Sequence, residues 1–220
     1  MCLLLCGDVG FVSIDCGSSQ TKIYTDALGI TWTPDSIRWP EINGFSNTSQ
    51  AIPSTTSLSK GQMPYESMRY FQPGKAMNAN KFCYSLEATG GSYYLVRAAF
   101  WSGGTQLPYN TRKRNAVSFQ MIVDTYEGQE IDISLPQSDV WIEEMYVRAQ
   151  GSSVMVCLSA ASDTSDAPFI NSLELRPLGN DALGVVTMVK STNTALRLVD
   201  RQDFGAPTTS PAVLRSGTRQ

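Results

Sequence analysis

Short runs of alternating apolar and polar residues recur along the chain and predict β-strands. Each run has the length of a strand, and clusters of Gly, Pro, Ser, Asn or Asp separate one run from the next. No long stretch keeps the 3.6-residue spacing of an amphipathic helix. The predicted strands occupy residues 10–17, 92–101, 115–125, 140–150, 152–160 and 170–178. Many short strands without intervening helices favour two packed layers, so we predict an all-β fold built as an antiparallel β-sandwich.

The stretch "YYLVRAAFW" at residues 93–101 shows the two faces of one predicted strand. Its even-numbered residues are all apolar and form a core face, whereas its odd-numbered residues mix apolar side chains with Arg97. Because arginine is rarely buried without a partner, we expect Arg97 either to be half exposed or to pair with a buried carboxylate. Trp101 stands at the end of the strand, just before "SGGT", and is expected to project from a loop rim.

Residue usage limits the chemistry that this chain can perform. It contains no histidine, which excludes Ser-His-Asp and Cys-His nucleophile systems and histidine-ligated zinc. The adjacent Glu143 and Glu144 lie on opposite faces of a predicted strand, whereas a pair of catalytic carboxylates must converge on one sugar ring. We therefore predict a non-catalytic protein without a metal or a cofactor, and a carboxylate-based carbohydrate-active enzyme is the weakest alternative.

Charge and hydropathy narrow the range of partners. The chain has 17 basic and 20 acidic residues, a net charge of −3 that disfavours a nucleic-acid backbone as partner. The basic run 112–114 lies in a polar stretch and is typical of a solvated loop. No apolar run reaches the length that spans a bilayer, and "MCLLLC" at the start lacks the basic residues of a signal peptide. We expect no membrane span in this chain.

Seven segments occur in an order that resembles a known domain family. They are "GFVSIDCG", "YTDALGITWTPD", "YFQPGKAMNANKFCYSL", "SYYLVRAAFWSGG", "FQMIVDT", "EEMYVRAQGSSVMVCLS" and "APFINSLELRPL". Together they resemble the malectin-like domain in the ectodomains of plant receptor-like kinases, especially those that also carry leucine-rich repeats. The resemblance runs from about Gly10 to Leu178. The later "LRLVDRQDFG" is similar to the segment that joins the first malectin lobe to the second.

The resemblance implies a fold, a location and a domain division. The family folds as a jelly-roll-like β-sandwich of galactose-binding-like architecture, often as two lobes in tandem on the outer side of the plasma membrane. It implies a first lobe at 10–179 and a linker toward a second lobe at 180–205. Residues 206–220 are rich in Pro, Ser and Thr and are predicted to be a disordered tail. We expect one lobe alone, as a part or a truncated copy of a receptor.

The resemblance also implies two classes of partner. Animal relatives bind glucose disaccharides through aromatic rings and an aspartate, and the plant forms are regarded as sensors of carbohydrate or cell-wall fragments. Several plant members recognise peptides or partner proteins instead. We therefore predict first a module that binds an oligosaccharide or cell-wall glycan. The alternative is a module that binds a peptide or a co-receptor.

Candidate ligand-binding residues follow from the chemistry of sugars. A pyranose ring stacks on Tyr or Trp, and its hydroxyls need fixed partners such as carboxylates. The segment 23–35, "IYTDALGITWTPD", is interpreted as a loop. It supplies four of the six candidates, which are Tyr24, Asp26, Trp32, Asp35, Tyr93 and Trp101. The alternative is structural: Trp32 packs under the loop as a plug, and Asp35 caps a turn.

Two modifications are predicted for an extracellular chain. Of the five cysteines, Cys16 and Cys83 both flank strand segments and form the favoured disulfide. Cys157 lies in an apolar run and is expected to be a small buried residue. Asn47 opens an Asn-Thr-Ser acceptor site for N-glycosylation.

Overall fold

A computed structural model describes residues 11–39, 47–52, 64–71, 81–103, 116–161, 166–179, 183–192 and 194–199. The strands in these residues are β1 (Val12–Asp15), β2 (Tyr24–Thr25), β3 (Thr31–Pro34), β4 (Asn47–Ala51), β5 (Ser67–Phe71), β6 (Lys81–Glu87), β7 (Tyr93–Phe100), β8 (Ala116–Val123), β9 (Tyr126–Ser134), β10 (Trp141–Arg148), β11 (Ser153–Ala160), β12 (Phe169–Ile170), β13 (Ser172–Pro177) and β14 (Leu196–Arg197). The helices are α1 (Asp35–Arg38) and α2 (Leu183–Thr192).

The strands form three sheets. The largest has seven strands in the order β14-β10-β7-β13-β1-β3-β2. A second sheet has the order β6-β11-β8-β9, and a third has the order β12-β5-β4. Neighbouring strands in the described residues are antiparallel, with the exception of the parallel pair β1 and β3. The prediction of an antiparallel, all-β protein is confirmed, although the prediction missed the two short helices.

All three sheets contribute to one core, which makes the fold a β-sandwich. Three phenylalanines mark the place where the sheets meet: Phe100 from β7, Phe119 from β8 and Phe169 from β12. Their ring centroids are 5.3 to 6.3 Å apart, and all three pairs have edge-to-face geometry. Such aromatic pairs add stability beyond the apolar area that they bury.

Strand β7 has the two faces that the sequence predicts. Its even-numbered residues from Tyr94 to Phe100 belong to the core. On the other face Arg97 pairs with Glu144 of β10, and Glu174 of β13 lies directly opposite it on the other side. Glu174 in turn pairs with Arg176 at 2.6 Å. These four side chains are buried, so of the two alternatives for Arg97 the pairing with a buried carboxylate is the one that the structure supports.

The predicted disulfide between Cys16 and Cys83 is wrong. Cys83 is bonded to Cys157, which lies directly opposite it where β6 pairs with β11. Cys16 is buried as a free thiol in the core, and burial raises its pKa well above the usual value. The linear sequence does not reveal which strands are neighbours, and that adjacency decides the pairing.

Several predictions concern segments of which the structure describes little. The predicted linker 180–205 contains α2 and β14, and β14 pairs with β10 at the edge of the seven-stranded sheet. Asn47 is the first residue of β4, and its glycosylation stays a prediction. The predicted tail and the basic run 112–114 lie outside the described residues. Among the helices that the structure describes, none has the length and hydropathy needed to cross a bilayer.

Candidate functional site

The segment 23–35, interpreted from the sequence as a loop, is instead a short hairpin of β2 and β3 followed by α1. The carboxylate of Asp26 organises its turn. One oxygen accepts the backbone N–H groups of Leu28 and Ile30, each at 2.9 Å, and the other accepts the indole N–H of Trp32 at 2.8 Å. Gly29 supports the same turn with a φ of 79°. Both Asp26 oxygens are therefore used in holding the hairpin together.

Trp32 is the residue for which the ligand prediction fails most clearly. It lies directly opposite Tyr24 in the hairpin and has 0% exposed surface. A sugar can stack only on a ring face that solvent reaches. The predicted stacking role of Trp32 is therefore wrong, and the structural alternative of a buried plug describes it.

Asp35, the first residue of α1, belongs to a buried ion pair. Arg69 of β5 donates to its two carboxylate oxygens at 2.8 and 2.6 Å, and the hydroxyl of Tyr84 on β6 donates at 3.2 Å. Arg69 and Asp35 have side-chain exposures of 2% and 0%. The predicted contact of Asp35 with a ligand is wrong, because its carboxylate is sealed from solvent. Asp35 instead connects the seven-stranded sheet, through α1, to the other two sheets.

Tyr24 is held by a carboxyl group that the sequence analysis did not single out. Its hydroxyl donates to Asp15 Oδ2 at 2.8 Å, which ties the edge strand β2 to β1. The pKa of Asp15 is raised to about 6, mainly by burial; the charges of Asp35 and Glu66 also raise it, and hydrogen bonds from Ser18 and Tyr24 lower it. Burial, followed by the charge of Asp15, also raises the pKa of Tyr24. An aspartate in the apolar strand "FVSID" was the signal that could have revealed this contact.

The raised pKa of Asp15 predicts a specific pH dependence of stability. The native state binds this proton more tightly than the unfolded chain, so this contribution to stability is complete below about pH 4 and is lost as the pH rises through about 6. An Asp15→Asn variant keeps an acceptor for Tyr24 and has no charge to bury. Chemical denaturation at several pH values measures the free energy of unfolding of both proteins. As the pH rises from 4 to 7, we expect the value for Asp15→Asn minus the value for the native protein to increase by about 2–3 kcal/mol.

An exposed aspartate provides the control for this measurement. The difference in free energy of unfolding between Asp139→Asn and the native protein should change by less than about 0.5 kcal/mol over the same pH range. If the difference in free energy of unfolding between Asp15→Asn and the native protein also stayed constant from pH 4 to 7, the Asp15 carboxyl would have no raised pKa.

Tyr93 and Trp101 lie apart from the hairpin and from each other. Tyr93 is the first residue of β7 and is partly exposed, while Trp101 follows the end of β7. β7 is four strands away from β2 in the sheet, which corresponds to about 19 Å. Trp101 is only 2% exposed, so the prediction that it projects from a loop rim is wrong. Asn171 holds it in place by bonding to both its backbone N–H and its carbonyl. The six predicted residues do not form one site.

The carboxylates of β10 are also engaged within the protein. Glu143 and Glu144 face opposite sides of the sheet, as the sequence predicts, since they lie opposite Ala98 and Arg97. Glu143 pairs with Arg197, and Glu144 pairs with Arg97. Within the described ranges, no group of three or more Cys, Asp or Glu side chains is placed to hold a metal ion.

The hairpin and the helix after it expose three large apolar side chains. Ile23 and Leu28 on the hairpin and Ile37 in α1 are 57%, 65% and 41% exposed. We call these three residues the hairpin surface. Of the seven large apolar side chains that stand exposed in the described part of the chain, two therefore lie in the segment 23–35 and a third lies two residues after it. The sequence analysis missed Ile23 and Leu28 because it considered only the rings and carboxylates of that segment.

Solved structures share the fold of this chain. The structure of the plant receptor-like kinase ANX2 superimposes with a TM-score of 0.56 over 76% of this chain and 42% of that one, at 15% identity. A structure of the plant peptide RALF23 in complex with FER and LLG2 matches with a TM-score of 0.52, over 77% of this chain and 40% of that one, at 17% identity. At these identities the likeness concerns the fold alone.

Sequence comparison identifies the family. Two Arabidopsis thaliana proteins, the probable LRR receptor-like serine/threonine-protein kinases At1g67720 and At4g20450, are 34% and 30% identical to the chain and each covers 90% of it. The chain spans about a fifth of their length, 19% and 21%. The family model of the malectin-like domain matches residues 14–216. This chain belongs to the malectin-like domain family.

Proposed function

We propose that this chain is a non-catalytic recognition module from the extracellular part of a receptor-like kinase, and that it binds a peptide or protein partner. The hairpin surface is the observation that carries this proposal. Exposed aliphatic side chains gain free energy when a partner covers them, whereas they leave the hydroxyls of a sugar without hydrogen bonds. Asp26, Trp32 and Asp35, the residues of the same segment that were predicted to contact a sugar, instead form hydrogen bonds within the protein, and Trp32 and Asp35 are buried.

Two comparisons support this class of partner. The relatives At1g67720 and At4g20450 are named as probable LRR receptor-like serine/threonine-protein kinases, and a receptor needs a part that binds its signal. A protein of the same fold was crystallised with the peptide RALF23 and with LLG2, which supports a peptide or a co-receptor as the partner class.

The disulfide between Cys83 and Cys157 supports an extracellular location, because disulfides persist in oxidising compartments. The non-catalytic part of the proposal is supported by Glu143 and Glu144, because both carboxylates are held in ion pairs within the protein.

Arrays of synthetic peptides from secreted proteins, probed with the purified chain, test the proposal. We expect peptides that bind the native protein to bind Leu28→Asp at least about tenfold more weakly, because a charge replaces a Leu side chain that the partner buries. Met155→Asp is the matched control, since Met155 is also an exposed apolar residue but lies on β11 in another sheet. Equal weakening in both variants, or no peptide bound by the native protein, would contradict the proposal.

Carbohydrate binding is the second candidate, and one observation favours it. Tyr24 and Tyr93 are the two predicted stacking residues that remain partly exposed. A glycan array probed with the native protein, Tyr24→Ala and Tyr93→Ala tests this function. Specific binding of a glycan that one of these variants loses by about tenfold or more would establish it, since stacking on a ring is worth about 1 kcal/mol or more. If no glycan bound and a peptide did, the result would favour peptide or protein binding over carbohydrate binding.

A further inference from the structure

Strand β9 is the edge of the four-stranded sheet and is nine residues long. Strand β8 pairs with one side of it, and none of the described residues pairs with the other. Among the described residues, the backbone N–H and C=O groups on that outer side have no strand partner, and such an edge can accept a further strand. Near its start, two residues between Glu127 and Glu130 oppose the single Met121 of β8, a β-bulge that leaves Glu130–Ser134 as the regular part of the edge.

The two faces of β9 differ sharply. Ile131 and Ile133 point into the core. Glu127, Glu130 and Asp132 are exposed on the opposite face. None of these three forms an ion pair with any residue that the structure describes, although Asp132 accepts the Ser118 hydroxyl at 3.1 Å. The strand contains no basic residue, so the edge carries three negative charges that no described residue pairs with.

We propose that the β9 edge binds an extended basic peptide, which adds to the sheet as a fifth strand. Backbone hydrogen bonds would supply the attachment, as in other cases of strand addition. Selectivity would come from charge: residues directly opposite in neighbouring strands share a face, so a Lys or Arg at every second position faces Glu130 and Asp132. The same carboxylates repel a second copy of this edge, which disfavours self-association as the use of this surface.

The opposite edge of the same sheet does not have this character. Strand β6 carries exposed side chains of both signs, Lys81 and Glu87, and Glu87 pairs with Arg38 at 3.1 Å. Charge complementarity to a basic peptide is therefore specific to β9. The β9 edge is also separate from the hairpin surface, which lies on the seven-stranded sheet, so this proposal does not depend on the proposed function.

Three synthetic peptides separate strand addition from simple charge attraction. The first alternates Lys and Thr over eleven residues, the second has Glu in place of Lys, and the third is the Lys–Thr peptide with its central backbone nitrogens methylated. We expect the Lys–Thr peptide to bind the full chain and the other two to bind at least about tenfold more weakly. Hydrogen exchange should slow in β9 when the Lys–Thr peptide is bound and should not change in β6.

Charge reversal locates the site. The double variant Glu130→Lys with Asp132→Lys should bind the Lys–Thr peptide at least about tenfold more weakly, since two favourable charge contacts become repulsive. The double variant Glu66→Lys with Glu87→Lys has the same net charge and alters exposed residues away from β9, since Glu66 precedes β5 and Glu87 ends β6 at the opposite edge of the sheet. It should bind as the native protein does. Undetectable binding, equal binding of the methylated peptide, or equal loss in both double variants would overturn the proposal. None of these outcomes bears on the hairpin surface.

Discussion

Replacing Asp35 by Ala is expected to lower the free energy of unfolding by about 3–5 kcal/mol. The substitution leaves Arg69 as an unpaired charge with only 2% of its side chain exposed. Water cannot hydrate that guanidinium without opening the contact between α1, β5 and β6. The loss should be measurable as a lower midpoint in urea or guanidinium unfolding, monitored by tryptophan fluorescence.

Two further variants distinguish the effect of an unpaired charge from the effect of a lost hydrogen bond or lost side-chain volume. Tyr84→Phe removes only the neutral hydroxyl that donates to Asp35 and should cost about 1 kcal/mol. Asp35→Leu combined with Arg69→Met removes both charges together and should be much less harmful than Asp35→Ala alone, because no charge is left buried without a partner. A cost of less than about 1 kcal/mol for Asp35→Ala would mean that Arg69 finds water or another partner.

Replacing Phe119 by Ala is expected to cost about 3–5 kcal/mol. Phe119 has 0% exposed surface and contacts Phe100 and Phe169, each from a different sheet. The ring thus fills the junction of all three sheets, and the surrounding strands, held by their hydrogen-bond ladders, cannot collapse into the space that it leaves. Chemical denaturation measures this loss.

The volume of the cavity that a substitution of Phe119 leaves should determine the loss in free energy of unfolding. Phe119→Leu keeps most of the apolar volume and should cost clearly less than Phe119→Ala. Met155→Ala removes a side chain that is 38% exposed and should change stability by less than about 1 kcal/mol. If Phe119→Ala proved no more harmful than Met155→Ala, the three phenylalanines would not form the junction of the sheets.

Strand faces could be predicted from the sequence because a local rule governs them. Side chains alternate along a strand, so the core face of β7, the separation of Glu143 from Glu144 and the need of Arg97 for a carboxylate all follow from a few adjacent residues. The family could also be predicted, since it depends on the order of several segments along the chain.

The candidate site could not be predicted in the same way, because its side chains pair with residues that are distant in sequence. Asp35 meets Arg69 across 34 positions, and Cys83 meets Cys157 across 74. Composition shows that rings and carboxylates are present in the segment 23–35, but not whether solvent can reach them. Trp32 and Asp35 have the right chemistry for a sugar, and burial removes both from use.

By itself the sequence determined the class of the fold, the faces of its main strands, the malectin-like family and the absence of histidine chemistry. These properties depend on residue type and on short-range spacing. Only the tertiary structure decided which cysteines are bonded, which carboxylates are neutralised inside the protein, and that the hairpin surface and the carboxylates of β9 are exposed. Such properties depend on which strands become neighbours, and strand pairing joins residues that no local pattern connects.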